Sequence, residues 1–374
     1  MTLRTAIIHE WLAEYAGSER VVEQMLELWP EAQLHALVDV LPPEQRGWLS
    51  GRTVRTSFIQ RLPFAARRFR GYLPLFPLAV EQFDLNAYDL VVSSHHCVAK
   101  GALVRADQVH VSYVHSPMRY AWDLQHQYLA GRGVKAWLRR QLARPVLHRL
   151  RQWDVLSANR VDAFVANSRC VAERIWRCWR REAEVVYPPV DVAAFTPGTA
   201  PREDWYLHAG RLVSYKRADV VVAAFARMPS KRLLVVGDGP ELAGLRRVAP
   251  ANVTFLGRLP FEQLRDHLRR CRALIFAAEE DFGILPVEAM ACGTPVLAYG
   301  RGGATETVIP ELSGLHFPSQ EPAAVMQAID RFEQDGAGFD ATRIRAHALQ
   351  FAPEHFRTQF AAVVDRAIDA RGRR

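Results

Sequence analysis

Short apolar runs recur along the chain, each followed by a polar, glycine- or serine-bearing segment and then by a stretch of helical period. Thr5-Ala-Ile-Ile-His reads as a buried strand. Glu10-Trp-Leu-Ala-Glu-Tyr-Ala-Gly reads as the loop after it, and Ser18 as the N-cap of a helix through Glu19-Arg-Val-Val-Glu-Gln-Met-Leu-Glu-Leu. Leu34-His-Ala-Leu-Val is the next strand. Strand, loop, helix, strand is a βαβ unit, and such units build parallel sheets. Further strands are predicted at Tyr88 to Ser94 with His95 at the end, at Val109 to Val114, and at Asp162 to Ala166, with Asn167 and Ser168 at its carboxyl end. His115-Ser-Pro-Met-Arg-Tyr-Ala-Trp-Asp follows the strand at Val109 directly. Polar residues at the carboxyl ends of parallel strands are where open α/β sheets hold ligands, which makes His115 a site candidate.

Val185-Val-Tyr-Pro-Pro-Val-Asp ends a strand in a stiff double proline and reads as a crossing between domains. The rhythm then restarts. Strands are predicted at Trp205 to Ala209, Arg232 to Val236 and Val253 to Gly257, with helices from about Ala218, after Gly237-Asp-Gly-Pro-Glu, and over Glu262 to Cys271. Ala273-Leu-Ile-Phe-Ala is another strand, leading into Glu279-Glu-Asp-Phe-Gly-Ile-Leu-Pro-Val-Glu-Ala-Met-Ala-Cys-Gly-Thr-Pro-Val. In that stretch Pro286 suits a first helical turn. Gly293 suits the position past the helix end, and Thr294-Pro-Val-Leu-Ala opens one more strand.

This stretch carries the chemistry. Glu280 sits in the loop and Glu288 in the first helical turn. Gly283 permits close backbone approach, and the amides at the helix start favour an anion. Carboxylates accept from hydroxyls and amides donate to phosphates, so a nucleotide sugar fits the layout. The plainer reading makes Glu288 an N-terminal charge that offsets the helix dipole. Upstream, Arg211 and Lys216 both follow a strand in a glycine-started loop and could hold a diphosphate. Gly300-Arg-Gly-Gly-Ala-Thr-Glu-Thr-Val reads as a second anion-binding turn. The G-x-G-x-x-G fingerprint is missing after the first strand, which weighs against a dinucleotide oxidoreductase. No D-x-D pair appears that would hold a divalent metal on a diphosphate.

The length of 374 residues favours two domains, and a composition 49% apolar and 24% charged is that of a globular protein. No apolar stretch is long enough to span a bilayer, and the N-terminal apolar run is too short for a signal peptide, so the reading is cytoplasmic. Five scattered cysteines form no C-x-x-C pair and read as reduced thiols. His95-His96-Cys97 is the nearest approach to a metal cluster, but neighbours in a strand face opposite ways, and no metal is expected. Net charge is +8, arginine far outnumbering lysine, and it is concentrated. Arg55 to Tyr72 and Gly131 to Trp153 interleave arginines with Phe, Trp and Leu. Basic amphipathic helices of this kind suit an anionic membrane surface, a solvated helix face being the alternative; no nucleic-acid-binding motif accompanies them.

Taken together these motifs resemble the retaining glycosyltransferases of family 4. The resemblance rests on Glu280-x7-Glu288 within its loop-helix-strand, on Gly210-Arg211…Lys216, Val236-Gly-Asp-Gly-Pro-Glu, Phe255-Leu-Gly257 and Gly302-Gly303…Glu306, and on Gly17-Ser-Glu-Arg, where Ser18 replaces a common second glycine. His-Glu-Trp-Leu near the start and the segment from His115 look most like bacterial mannosyltransferases of O-antigen and exopolysaccharide assembly. The resemblance implies the α/β GT-B fold: two Rossmann-like domains with parallel sheets facing a central cleft. Residues 1–185 would form the acceptor-side domain, 186–350 the nucleotide-sugar domain, and 351–374 a helix packing back toward the first. It further implies that Glu280 contacts the donor sugar, Glu288 the ribose, and Arg211 and Lys216 the diphosphate. The amides of Phe282, Gly283, Ile284 and Leu285 would help, with Gly257 and Gly17 among the donor-binding positions and His115 beside the sugar. No cofactor or metal is implied. The expected partners are a nucleotide sugar, with GDP-mannose first and UDP- and dTDP-sugars open, and a polyprenyl-diphosphate-linked saccharide at the inner face of the plasma membrane. A nucleotide-sugar 2-epimerase and a non-catalytic binding protein are the competing classes.

Overall fold

A computed structural model describes residues 3–123, 125, 129, 133–334 and 338–373, with the backbone alone for 135, 136 and 139. The chain divides into two compact units, Met1–Pro189 with Phe356–Arg374, and Val190–His355. These divisions lie a few residues from the 185 and 350 read from the sequence.

In the first unit seven strands pair in the order β3-β2-β1-β4-β5-β6-β7. They are β1 (Thr5–Leu12), β2 (Gln33–Asp39), β3 (Val54–Thr56), β4 (Leu90–His95), β5 (Val109–Val114), β6 (Ala163–Ala166) and β7 (Glu184–Val185). Every pairing is parallel. Alternate residues bury on opposite faces. Ile7, Leu34, Val92, Val111 and Tyr113 pack with the helix Gly17–Leu28 and with Phe356, Phe360, Val363 and Val364 of the C-terminal helix Pro353–Gly372. Ala6, Ile8, Val38 and Val91 pack on the other face with Phe76, Val80, Met118, Leu147 and Leu150. Both faces are covered, which is why these strands read as continuous apolar runs.

The second unit repeats the plan with six strands in the order β10-β9-β8-β11-β12-β13. They are β8 (Tyr206–Ala209), β9 (Leu233–Val236), β10 (Val253–Gly257), β11 (Leu274–Phe276), β12 (Val296–Tyr299) and β13 (Gly314–Phe317), again all parallel. Val221, Phe225, Ile329 and Phe332 close one face over Leu233, Val235, Ile275, Leu297 and Leu315.

Several expectations need correction. Glu10-Trp-Leu belongs to β1, because Trp11 and Leu12 pair with Val38 and Asp39. Ser18 lies inside the helix Gly17–Leu28; Ala16 is its N-cap, and Ser18 Oγ donates to Glu19 instead. The edge strands β3 and β13, of three and four residues, were too short to stand out as periodic runs. The basic stretch from Arg55 is no single helix: Pro63 and Phe64, at φ 58°, break it into short turns. In the other basic stretch Gly131 and Arg132 lie outside the described residues, as do the side chains of Lys135 and Arg139. The helix Val134–Ala158 that follows buries Leu147 and Leu150 but leaves Trp137, Leu138 and Leu142 between 52 and 65% exposed.

Candidate active site

In each sheet the strand order reverses beside one central strand, at β1/β4 and at β8/β11. Loops leaving the two strands there part in opposite directions, and open α/β sheets bind ligands in the crevice they leave. The polar residues of the two halves gather at these points.

In the second unit β8 hands the chain to Gly210 and Arg211, and β11 to Glu279 and Glu280. Lys216 ends a 3₁₀ turn, Ser214–Lys216, and its ammonium pairs with the Glu280 carboxylate, each side chain 20% exposed. Burial lowers the Lys216 ammonium to about 8, while the carboxylate beside it pulls the other way. Arg211 is exposed, and its guanidinium pairs with none of the described residues. A flexible cation and a cation–carboxylate pair thus stand at the mouth of adjacent strands. Together they can neutralise a diphosphate and accept from sugar hydroxyls.

Close backbone contacts hold this arrangement. A Cβ on Gly237 would meet the Gly210 oxygen at 1.9 Å, and one on Gly239 the Leu212 oxygen at 2.3 Å, so the β8 and β9 loops lie flat on each other. Gly302 and Gly303 do the same for the Glu280 loop: a Cβ on Gly303 would sit 2.3 Å from Phe282 Cα, and the Gly303 amide donates to the Glu280 carbonyl at 2.8 Å. The turn read as a second anion site packs directly against the first, and its helix is only Ala304–Thr307. Gly283, at φ 89°, is the N-cap of the helix Ile284–Ala291, which no side-chain-bearing residue would adopt cheaply. Ile284 and Leu285 occupy its first two positions, whose amides have no intrahelical acceptor. Glu288 is buried in the second turn, not the first, because the helix starts at Ile284. The Phe282 side chain is core, its ring 5.5 Å from Phe351. Gly257 ends β10, two strands from β8 on the same carboxyl edge, and its φ of 72° requires glycine.

The first unit's reversal is furnished differently. Glu10 Oε1 accepts from the amides of His96, Cys97, Val98 and Ala99 at 2.7–3.1 Å, tying the end of β1 to the turn after β4. Burial alone would raise its carboxyl, but His95, His96 and the amides hold it well below the usual range. His9, Glu19 and Ser94 are buried beside partly buried His115. The His115 carbonyl accepts from Asn167 at 2.9 Å, and Ser168 caps the helix Arg169–Trp179. Gly17 opens the helix that carries Glu19.

Comparison with known proteins gives the family. A family profile described as "Glycosyltransferase Family 4" matches residues 15–194, and one described as "Glycosyl transferases group 1" matches residues 194–349. Between them they run through both units. The chain is a glycosyltransferase of the family 4 type, with the GT-B fold. Among relatives of this glycosyltransferase, the D-inositol 3-phosphate glycosyltransferase of Mycobacteroides abscessus is 26% identical over 317 residues, 72% of this chain and 69% of its own. That of Mycobacterium marinum is 28% identical over 338 residues, 76% and 70%. Sucrose-phosphate synthase from Thermosynechococcus elongatus superposes with a TM-score of 0.75 at 20% identity, over 98% of this chain and all of its own. Anabaena HepE in complex with UDP-glucose gives 0.70 at 18%, over 96% and 99%. At those identities the structures speak for the fold.

In this glycosyltransferase Arg211, Lys216, Gly257, Glu280, Phe282, Gly283, Ile284, Leu285 and Glu288 all lie in the second unit, and Gly17 and His115 in the first. Lys216 and Glu280 are brought into contact across 64 positions of sequence. Sequence reasoning missed His208, buried in β8, whose Nδ1 lies 3.0 Å from the Ile275 carbonyl of β11. Burial brings it down to about 4. A neutral ring there fastens the strand that leads to the cations to the strand that leads to Glu280, and its one available signal was a polar residue within an apolar run. His9 and Glu19 were missed as well; each was read as part of its local element.

Proposed function

We propose that this enzyme transfers a hexose from a nucleotide sugar to a hydroxyl of a saccharide acceptor with retention at the anomeric carbon. The observation that carries the reading is the Lys216–Glu280 contact beside Arg211, at the reversal of the second sheet. Arg211 and Lys216 hold the diphosphate and stabilise the charge it gains as the anomeric C–O bond breaks. Glu280 accepts from sugar hydroxyls, Glu288 from the ribose, and the amides from Phe282 to Leu285 add donors near the phosphates. The acceptor oxygen attacks from the side the diphosphate leaves, and its proton passes to the departing phosphate oxygen. No side chain serves as nucleophile; a trapped glycosyl adduct on any residue would refute this. With two protein cations on the leaving group, turnover is expected to survive EDTA.

GDP-mannose is the first donor to test, on the strength of the segment around His115. UDP-sugars form the second arm, because HepE was solved with UDP and UDP-glucose. The first acceptor class is a polyprenyl-diphosphate-linked saccharide at an anionic membrane. The exposed Trp137, Leu138 and Leu142, with Arg144 and Arg149 on the same helix, support docking there. D-inositol 3-phosphate is the alternative acceptor, from the names of the relatives. Thermal shift against a panel of nucleotide sugars identifies the donor, since a ligand of the folded state raises the midpoint. Radiolabel transfer from that donor to each acceptor completes the assignment. Absence of any shift with every nucleotide sugar, or a shift unchanged in Glu280→Ala, would overturn the site.

A further inference from the structure

A connected line of side chains runs through the reversal point of the first sheet. Glu19 Oε1 lies 3.2 Å from His9 Nε2, His9 Nδ1 lies 3.1 Å from Ser94 Oγ, and Ser94 Oγ lies 2.8 Å from His115 Nε2. Glu19, His9 and Ser94 are buried. His115 Nδ1 is hydrogen-bonded to none of the described residues. The four residues come from the helix Gly17–Leu28, from β1, from β4 and from the turn after β5, so no local sequence feature links them.

The hydrogens along this line can be counted. Burial by itself would raise the Glu19 carboxyl, but its hydrogen bonds from His9 and Ser18 bring it down to about 2. At neutral pH it is therefore an acceptor only, and His9 Nε2 must carry a hydrogen toward it. An imidazole holding one hydrogen, on Nε2, has a lone pair at Nδ1, which takes the single hydrogen of Ser94. Ser94 Oγ is left to accept, so the hydrogen between it and His115 belongs to Nε2 of His115. Burial keeps the His115 ring neutral by driving it well below its ordinary range. Its Nδ1 is consequently a lone pair.

We propose that Glu19 is a positioning residue which, through His9 and Ser94, fixes His115 in its Nε2–H tautomer and presents Nδ1 as an acceptor to a hydroxyl of the substrate. This rests on the reading of His115 as a substrate contact. It deepens that reading: the group met by His115 must be a hydroxyl donor, and a deoxy or fluoro sugar at that position loses the bond.

The other Glu19 oxygen makes the proposal testable without removing a contact. Oε2 accepts from the Ala16 amide at 3.1 Å and from Ser18 Oγ at 2.9 Å. In Glu19→Gln the amide oxygen belongs on those two donors, which turns the NH2 toward His9 Nε2. His9 must then accept at Nε2 and donate from Nδ1; Ser94 passes its hydrogen to His115 Nε2, and the His115 hydrogen moves to Nδ1. One isosteric change reverses the whole line and turns the free atom of His115 from acceptor into donor.

The experiment is two-bond ¹⁵N–¹H correlation on the full chain labelled at histidine, with peaks assigned by His→Asn variants. We expect His115 as Nε2–H in the parent and Nδ1–H in Glu19→Gln, with kcat/KM about 10–100-fold lower in the variant. Ser94→Ala should uncouple His115, giving a mixed tautomer, and adding Glu19→Gln should then change neither tautomer nor rate further. A parent that is Nδ1–H overturns the proposal, as does a His115 tautomer unmoved by both Glu19→Gln and Ser94→Ala. A purely structural role would lower the melting midpoint and leave the tautomer alone. Full transfer activity in His115→Ala is a separate result: it sinks the reading of His115 as a substrate contact while the tautomer line stands.

Discussion

The two sheets share strand order, parallel pairing and a reversal beside the central strand, yet their reversal points are furnished in opposite ways. In the first, most polar groups are buried and hydrogen-bonded: Glu10 Oε1 under four amides, and Glu19, His9 and Ser94 in one line with partly buried His115. In the second the charges are partly or fully open to solvent, and Arg211 pairs with none of the described residues. A buried network is rigid and fixes direction; an exposed cation is free to meet an anion. The fold supplies the place twice over, and side-chain burial decides whether that place orients a neutral group or waits for phosphate.

The largest expected effect lies in the second unit. Arg211→Ala and Lys216→Ala should each lower kcat about 10²–10³-fold, the usual cost of removing one donor from a developing oxyanion. For exposed Arg211 the unfolding free energy should move by no more than about 0.5 kcal/mol. Steady-state kinetics beside urea denaturation checks both, and an Arg211→Ala enzyme of full kcat breaks the contrast. Next comes Glu19→Ala, which strands His9 in the core without an acceptor and should cost about 1–3 kcal/mol in urea denaturation. Glu280→Ala removes a carboxylate from a pair that is partly open to water and should cost less than about 1 kcal/mol while abolishing donor binding. Equal losses of stability in the two variants would erase the distinction between the two sites.

A third test separates stability from function by pH. Lys216 titrates at about 8 in the folded chain and at its ordinary 10.5 when unfolded. Between those values the unfolded state holds more protons, so this lysine makes folding more favourable as pH rises. The same rise removes the charge that would stabilise the leaving diphosphate. Turnover should therefore fall from pH 8 upward while the Lys216 contribution to stability climbs. Lys216→Met should lack both trends, and a parent rate flat to pH 9.5 counts against Lys216 as a charge donor. The smallest effect belongs to the surface: Trp137→Ser with Leu142→Ser should shift stability by less than about 0.5 kcal/mol yet weaken sedimentation with anionic vesicles. Equal binding of the parent to neutral vesicles would remove the electrostatic part of that docking.

Much of this was legible beforehand because it is local. Strands β5 and β10 fall on the residues their apolar runs marked, and Gly293 takes φ 75° past its helix end as the pattern required. The loop from Glu280 to Gly283 could be found because glycine and carboxylate spacing is written in consecutive residues. The extension of β1 to Leu12 was not legible, since it depends on pairing with Val38 and Asp39 of another strand. The packing role of Gly302 and Gly303 was not legible for a like reason: their missing side chains answer to Glu280 and Phe282, some twenty residues away.

The sequence by itself determined the two parallel α/β units, the crossing at the double proline and the residue types that suit an activated sugar, because periodicity, turn chemistry and strand-end polarity act over a few residues. Tertiary structure alone decided which of those residues meet. It set Lys216 on Glu280, His208 under Ile275, and Glu19 in line with His115. Such contacts are fixed by strand order and burial, and both arise only when segments far apart in the chain are packed against one another.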